Sequence, residues 1–112
     1  MAREQLQTLT EPMYYILLAL TEECCGVDIM EKVKQISHGR ITVGPGTLYA
    51  MLAKFEEKGI IRPTVFTSRR KSYIITDEGR KELEKEYARL QALTADGALD
   101  RKSTRLNSSH AT

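Results

Sequence analysis

Two stretches of the chain hold residue types suited to binding phosphate oxygens and base edges. The first is Pro45-Gly46-Thr47-Leu48-Tyr49, with Ala50, Ala53 and Lys54 after it. Most of these side chains are small or slim and polar, so the backbone they sit on can approach another polymer closely. Thr47 offers a hydroxyl and a methyl, Tyr49 a phenol and Lys54 a charge. The second is Arg69-Arg70-Lys71, three successive cations in a short polar segment with Ser68. Arginines at such a tip can lie along a phosphate backbone or dip into a narrow minor groove. Each feature also has an ordinary use. Thr47 can cap a helix, Tyr49 can pack against the basic tip, Lys54 can be simply wet, and a charge run at a turn is usually a solvated loop. Their joint occurrence at this separation favours the nucleic-acid chemistry.

Other chemistries find little to build on. Gly44-Pro45-Gly46 is a helix-opening turn without the lysine of a phosphate cradle, and no Ser-His-Asp or Cys-His arrangement or pair of catalytic carboxylates stands out. The chain reads as a non-enzyme that needs no cofactor. Cys24 and Cys25 are adjacent, which disfavours a disulfide between them, and without spaced His or Cys partners they give weak support for zinc. They read as buried or half-buried free thiols, with a sensing role the weaker alternative.

Charge is informative only locally. The chain carries 17 basic and 15 acidic residues, but Arg101, Lys102 and Arg105 lie in a C-terminal segment with no acid, and residues 1–100 carry −1. Between Lys32 and Lys71, nine basic residues face only Glu56 and Glu57, a local +7. Acids gather instead between Asp77 and Glu86. This division suits a molecule with one face on phosphates and another in water. The longest apolar run, Ile16 to Leu20, is too short to span a bilayer, and no signal-peptide pattern precedes it, so a cytoplasmic location is expected.

The elements that must position these residues follow from periodicity and caps. Thr10-Glu11-Pro12 opens a helix whose face holds Met13, Ile16, Leu17 and Leu20, ending near Glu22 to Cys25. Gly26 allows a tight turn into a second helix with Ile29, Met30, Val33 and Ile36 inward, stopped at Ser37-His38-Gly39. Pro45 opens a third, with Leu48, Met51, Leu52 and Phe55 as its core stripe and Gly59 at its close. Thr64 to Thr67 and Lys71 to Thr76 read as two strands around the basic tip, with Pro63 confining the first to an edge or a starting position. Thr76-Asp77-Glu78 caps a fourth helix to about Leu93, with Leu83, Tyr87 and Leu90 as a narrow stripe that Leu93 can extend. The expected fold is mainly α with a small β-hairpin, a winged helix-turn-helix in the order helix-helix-helix-strand-strand-helix.

With that order in place, the chain resembles PadR-type regulators over roughly residues 9–93. The residues that carry the resemblance are Ile16-Leu17-Leu18-Ala19-Leu20, Gly26-Val27-Asp28-Ile29 and Pro45-Gly46-Thr47-Leu48-Tyr49. After them come Leu52 with Phe55-Glu56-Glu57-Lys58-Gly59-Ile60-Ile61, then Arg69-Arg70-Lys71-Ser72-Tyr73 and Ile75-Thr76-Asp77-Glu78-Gly79. Val27 departs from the family's usual tyrosine, and Cys25 stands where tyrosine or histidine is common. The resemblance implies a homodimeric repressor, relieved by a small, often aromatic effector, that binds a double-stranded operator.

On this basis the expected DNA contacts are Gly46, Thr47, Tyr49, Lys54, Arg69, Arg70, Lys71 and Tyr73, and the expected dimer seam is Leu83, Tyr87 and Leu90. Packing of that stripe against the first helix is an alternative that can hold at once. An effector would touch Met13, Tyr14, Leu17 and Tyr87, residues that ordinary core packing explains equally well. The expected organisation is a flexible arm over 1–9, a winged-helix domain over 10–76, a dimerisation helix over 77–95 and a disordered tail over 96–112. The tail reads as foreign or read-through sequence from about 101. The competing function is a winged-helix protein-interaction module that binds no DNA.

Overall fold

Thr10 opens the first helix by capping it. Its hydroxyl accepts the Met13 N–H at 3.4 Å while the Met13 sulfur accepts the Thr10 N–H, and Pro12 stands in the first turn, where a missing N–H costs nothing. A computed structural model of the chain describes residues 8–66 and 70–109. Its elements are α1 (Glu11–Ala19), β1 (Cys24–Cys25), α2 (Gly26–Ile36), α3 (Pro45–Glu57), β2 (Ile61–Phe66), β3 (Lys71–Ile75) and α4 (Asp77–Ser109). This is the winged helix-turn-helix order, with one strand more than the sequence suggests.

The extra strand is β1. The first helix was expected to reach Glu22 to Cys25, but it stops at Ala19. The Leu20 carbonyl then accepts the Ile75 N–H at 2.8 Å, and Cys24 and Cys25 pair antiparallel with Tyr73 and Ser72. The sheet is therefore three-stranded in the order β1-β3-β2, with β3 central. Two residues are too short a run to show a strand period, so only the free edge of β3 reveals their pairing. β2 is an edge strand, as Pro63 requires, and a bulge between Pro63 and Val65 interrupts its ladder with β3.

One hydrophobic core joins all the layers. Ile16, Leu17 and Leu20 meet Ile29 and Val33 of α2, Leu48, Leu52 and Phe55 of α3, and Ile61 and Ile75 of the sheet. The loop between α2 and α3 is fixed by polar contacts. The fully buried Ser37 hydroxyl accepts the Ile41 N–H at 3.0 Å. Arg40 donates to Glu11 at 2.9 Å and to the Tyr15 hydroxyl at 2.7 Å. The chain reverses there through left-handed backbone at His38 (φ 57) and Gly39 (φ 80).

The wing is tied to the end of α3 by a compact knot. Thr76 donates its N–H to the Ile60 carbonyl at 3.0 Å and its hydroxyl to the Gly59 carbonyl at 2.7 Å. The same hydroxyl accepts the Gly79 N–H at 3.1 Å, capping α4. Gly79 packs so closely on this junction that a Cβ there would stand 2.6 Å from Ile75 Cγ1 and 3.0 Å from the Ile60 carbonyl carbon. That close approach is the physical content of the Thr76-Asp77-Glu78-Gly79 signature.

α4 continues to Ser109, past the end expected near Leu93, so residues 96–109 are helical rather than a disordered tail. A helix satisfies its backbone internally and can extend through water without burying anything. Nucleation is already met by the docked first turns, and Gly97, the one breaker, costs only about 1 kcal/mol. Among the α4 residues whose burial is described, Leu83 is the last in the hydrophobic core and Glu86 the last that is buried, while Gln91 to Ala98 are all exposed.

Candidate nucleic-acid interface

Helix α3 divides cleanly into two faces. Leu48, Leu52 and Phe55 are buried, whereas Gly46, Thr47, Tyr49, Ala50, Ala53 and Lys54 are exposed. Gly44 is the N-cap residue and supplies no side-chain hydrogen bond, with Pro45 following at the start of the helix. Thr47 therefore lies inside the first turn and caps nothing, which removes the competing use of its hydroxyl. The exposed face is slim at its leading end and carries Lys54 further along, a shape that fits a major groove about 12 Å wide.

The ring of Tyr49 lies over Gly26 at the start of α2, and the residue remains 48% exposed. Cys25 is the N-cap residue of α2 and makes no side-chain cap, so the amides of that first turn are left to other partners. The importance of Gly26 is the main feature that sequence reasoning missed, because only a tertiary contact makes it visible.

In the wing, Arg70 is exposed and Lys71 half-buried, with its ammonium 5.6 Å from the centroid of the Tyr73 ring. Arg69 lies outside the described residues. Tyr73 was expected to reach DNA but is only 4% exposed. It sits on the central strand, between β1 and β2, where neighbours cover it, and it serves as a platform beneath Lys71. The structure thus places Gly46, Thr47, Tyr49 and Lys54 on one exposed helix face and puts Arg70 and Lys71 on the wing that follows it. Tyr73 is withdrawn into the core.

A second region lies between α1 and α4. Tyr14, Tyr87, Leu90 and Thr94 line an open groove of about 440 Å³. A neighbouring hollow of about 370 Å³ has Leu9, Tyr15, Glu86 and Arg89 in its walls. Of the expected effector contacts, Tyr14 and Tyr87 meet in the first groove, whereas Met13 and Leu17 belong to the core. Burial, then Tyr87 and Glu86, push the Tyr14 phenol upward, which keeps it neutral. Of the expected seam, Leu83 is spent in the chain's own core, Leu90 is half-buried and Tyr87 is 55% exposed.

Glu86 is 5% exposed, and Arg89 donates to it through Nε at 3.1 Å and through Nη2. Those bonds, with the Leu9 N–H, hold its carboxyl below the usual range against the opposing effect of burial. Cys24 and Cys25 are both free and buried, and burial pushes the Cys24 thiol up. Among the described residues, no helix is long and apolar enough to cross a membrane.

Comparison with known proteins agrees with this architecture. The model of the transcriptional regulator PadR-like family matches residues 16–85. An uncharacterized 37.1 kDa protein in transposon TN4556 of Streptomyces fradiae is 35% identical over 77 residues, covering 66% of this chain and 22% of that protein. The chain therefore spans under a quarter of that relative's length. A transcriptional regulator from Clostridium thermocellum superposes with a TM-score of 0.65 at 21% identity, over 80% of this chain and 89% of its own. A PadR family transcriptional regulator from Eggerthella lenta superposes with a TM-score of 0.61 at 28% identity, over 76% of this chain and 71% of its own. With the family's pattern running from the first helix through the wing into the fourth, this chain belongs to the PadR-like family of transcriptional regulators.

Proposed function

We propose that this regulator is a sequence-specific DNA-binding repressor that acts in the cytoplasm as a homodimer and releases its operator on binding a small aromatic compound. The observation that carries the DNA-binding part is the exposed face of α3, small at its leading turn and followed by a basic wing. Thr47 and Tyr49 would contact bases or phosphate near the helix start, Lys54 would add charge along the groove, and Arg69, Arg70 and Lys71 would hold the flanking backbone. Two copies would read half-sites about one helical turn apart.

The dimer part is supported by the stretch of α4 beyond Glu86, where exposed Tyr87 and Leu93 flank the half-buried Leu90 at every third residue. With Leu83 occupied in the core, the seam would draw on the later part of that stripe. The groove of Tyr14 and Tyr87 adjoins that seam. A flat aromatic ligand there would shift the spacing of the two reading heads only by binding one spacing better than the other.

Band shifts with fragments of the source genome test the proposal. The wild-type protein should retard a small set of fragments as a dimer, and the variant with Arg69, Arg70 and Lys71 all changed to alanine should lose them. Retention of full duplex affinity by that variant would deny the wing a role in DNA binding, whereas binding to a protein partner and to no duplex would make the fold a protein-interaction module.

A further inference from the structure

Gly26 is the first residue of α2, and its backbone does not require glycine. The described glycines with positive φ are Gly39 and Gly59, so position 26 admits any L-residue by conformation. What it does not admit is a side chain. A Cβ there would lie 2.8 Å from Cζ and 3.2 Å from Cε1 of Tyr49 and would overlap the Tyr49 hydroxyl. All three nearest atoms belong to that one ring. Tyr49 springs from the exposed face of α3, yet its phenol lies against the first turn of α2. The one carboxylate of that turn, Asp28, accepts the Cys25 thiol at 3.4 Å. The amides beside the phenol carry the partial positive charge of a helix N-terminus.

We infer that Gly26 is a positioning residue for the reading face: its missing side chain seats Tyr49 so that the hydroxyl, beside the start of α2, donates to a DNA phosphate. Gly26 itself touches no DNA. The inference rests on the DNA-binding function proposed above. It assigns the glycine of the helix-turn-helix to a partner on the opposite helix, not to the turn that precedes it.

Duplex affinity should be measured for the wild type, Gly26→Ala, Tyr49→Phe, Tyr49→Ala and the double variant Gly26→Ala/Tyr49→Ala, with urea midpoints alongside. Alanine suits a helix better than glycine, so Gly26→Ala should keep the wild-type midpoint or exceed it. It should nevertheless weaken binding on the order of tenfold, matching Tyr49→Phe, the loss typical of one hydrogen bond to a charged group. In the Tyr49→Ala background, Gly26→Ala should cost nothing further. The Tyr49 ring protons should also move in the NMR spectrum of Gly26→Ala.

Equal losses from Gly26→Ala with and without Tyr49 would overturn the inference, as would undiminished binding by Gly26→Ala or by Tyr49→Phe. In those cases DNA binding by the wild type stands. A wild-type protein that binds no duplex refutes the proposed function itself, and the inference with it.

Discussion

Replacing Gly79 with alanine should destabilise the protein, while the same replacement at Gly97 should stabilise it. At Gly79 the new methyl would stand 2.6 Å from Ile75 Cγ1 and 3.0 Å from the Ile60 carbonyl carbon, overlapping the Ile60 oxygen. That oxygen is backbone at the junction of α3 and β2, so it has no rotamer into which to retreat. It also accepts the Thr76 N–H at 3.0 Å. Overpacking costs about 1–3 kcal/mol and loss of one hydrogen bond about 1 kcal/mol, against a helix gain of at most about 1 kcal/mol. The net loss is about 2 kcal/mol, which for a domain of this size lowers Tm by roughly 10 °C. At Gly97 nothing lies within 4 Å of a Cβ, so only the helix gain remains. Thermal and urea unfolding followed by circular dichroism, at one fixed protein concentration, separates the two signs. A Gly79→Ala protein as stable as the wild type, or two variants that shift in the same direction, would refute the packing logic of the wing junction.

Thr76→Val removes both the cap of α4 and the bond to Gly59, and should lower the urea-derived stability by about 1–2 kcal/mol; an unchanged midpoint would deny the knot any role. The Glu86 carboxyl is depressed in the folded state, so its contribution is present above the ordinary glutamate value of about 4.3 and is lost as pH falls through the lower folded value. Glu86→Gln should therefore lose less stability than the wild type on acidification from about pH 6 to about pH 3, and parallel losses would contradict the assignment. Cys24 is buried and its thiol pushed up, so alkylation followed by mass spectrometry should label it in urea and spare it in the native protein; rapid native labelling would show that the β1 region opens.

Much of the fold is written in local signals. Thr10 with Pro12 and the 48, 52, 55 spacing of α3 act within one helix, so their outcome does not depend on distant residues. The exposed α3 face was legible for the same reason, being the complement of that stripe. What the sequence hides is decided by partners far along the chain. Cys24 and Cys25 become a strand only because β3 offers an edge. Tyr73 looks like an ordinary wing tyrosine until flanking strands bury it on the central strand. Leu83 and Tyr87 belong to one helical stripe, yet α1 takes the neighbourhood of the first into the core and leaves the second exposed. Gly26 reads as a turn glycine, and its clash with Tyr49 exists only in three dimensions.

The salt dependence of duplex affinity tests the DNA-binding proposal most directly. Each phosphate neutralised by a lysine or arginine contributes about −0.9 to the slope of log affinity against log salt. Binding by the wild type should fall steeply with salt, and alanine at Arg69, Arg70 and Lys71 should reduce the slope by about one for each phosphate contact removed. A flat salt response, or one that the wing substitutions leave unchanged, would contradict the assignment of α3 and the wing to DNA.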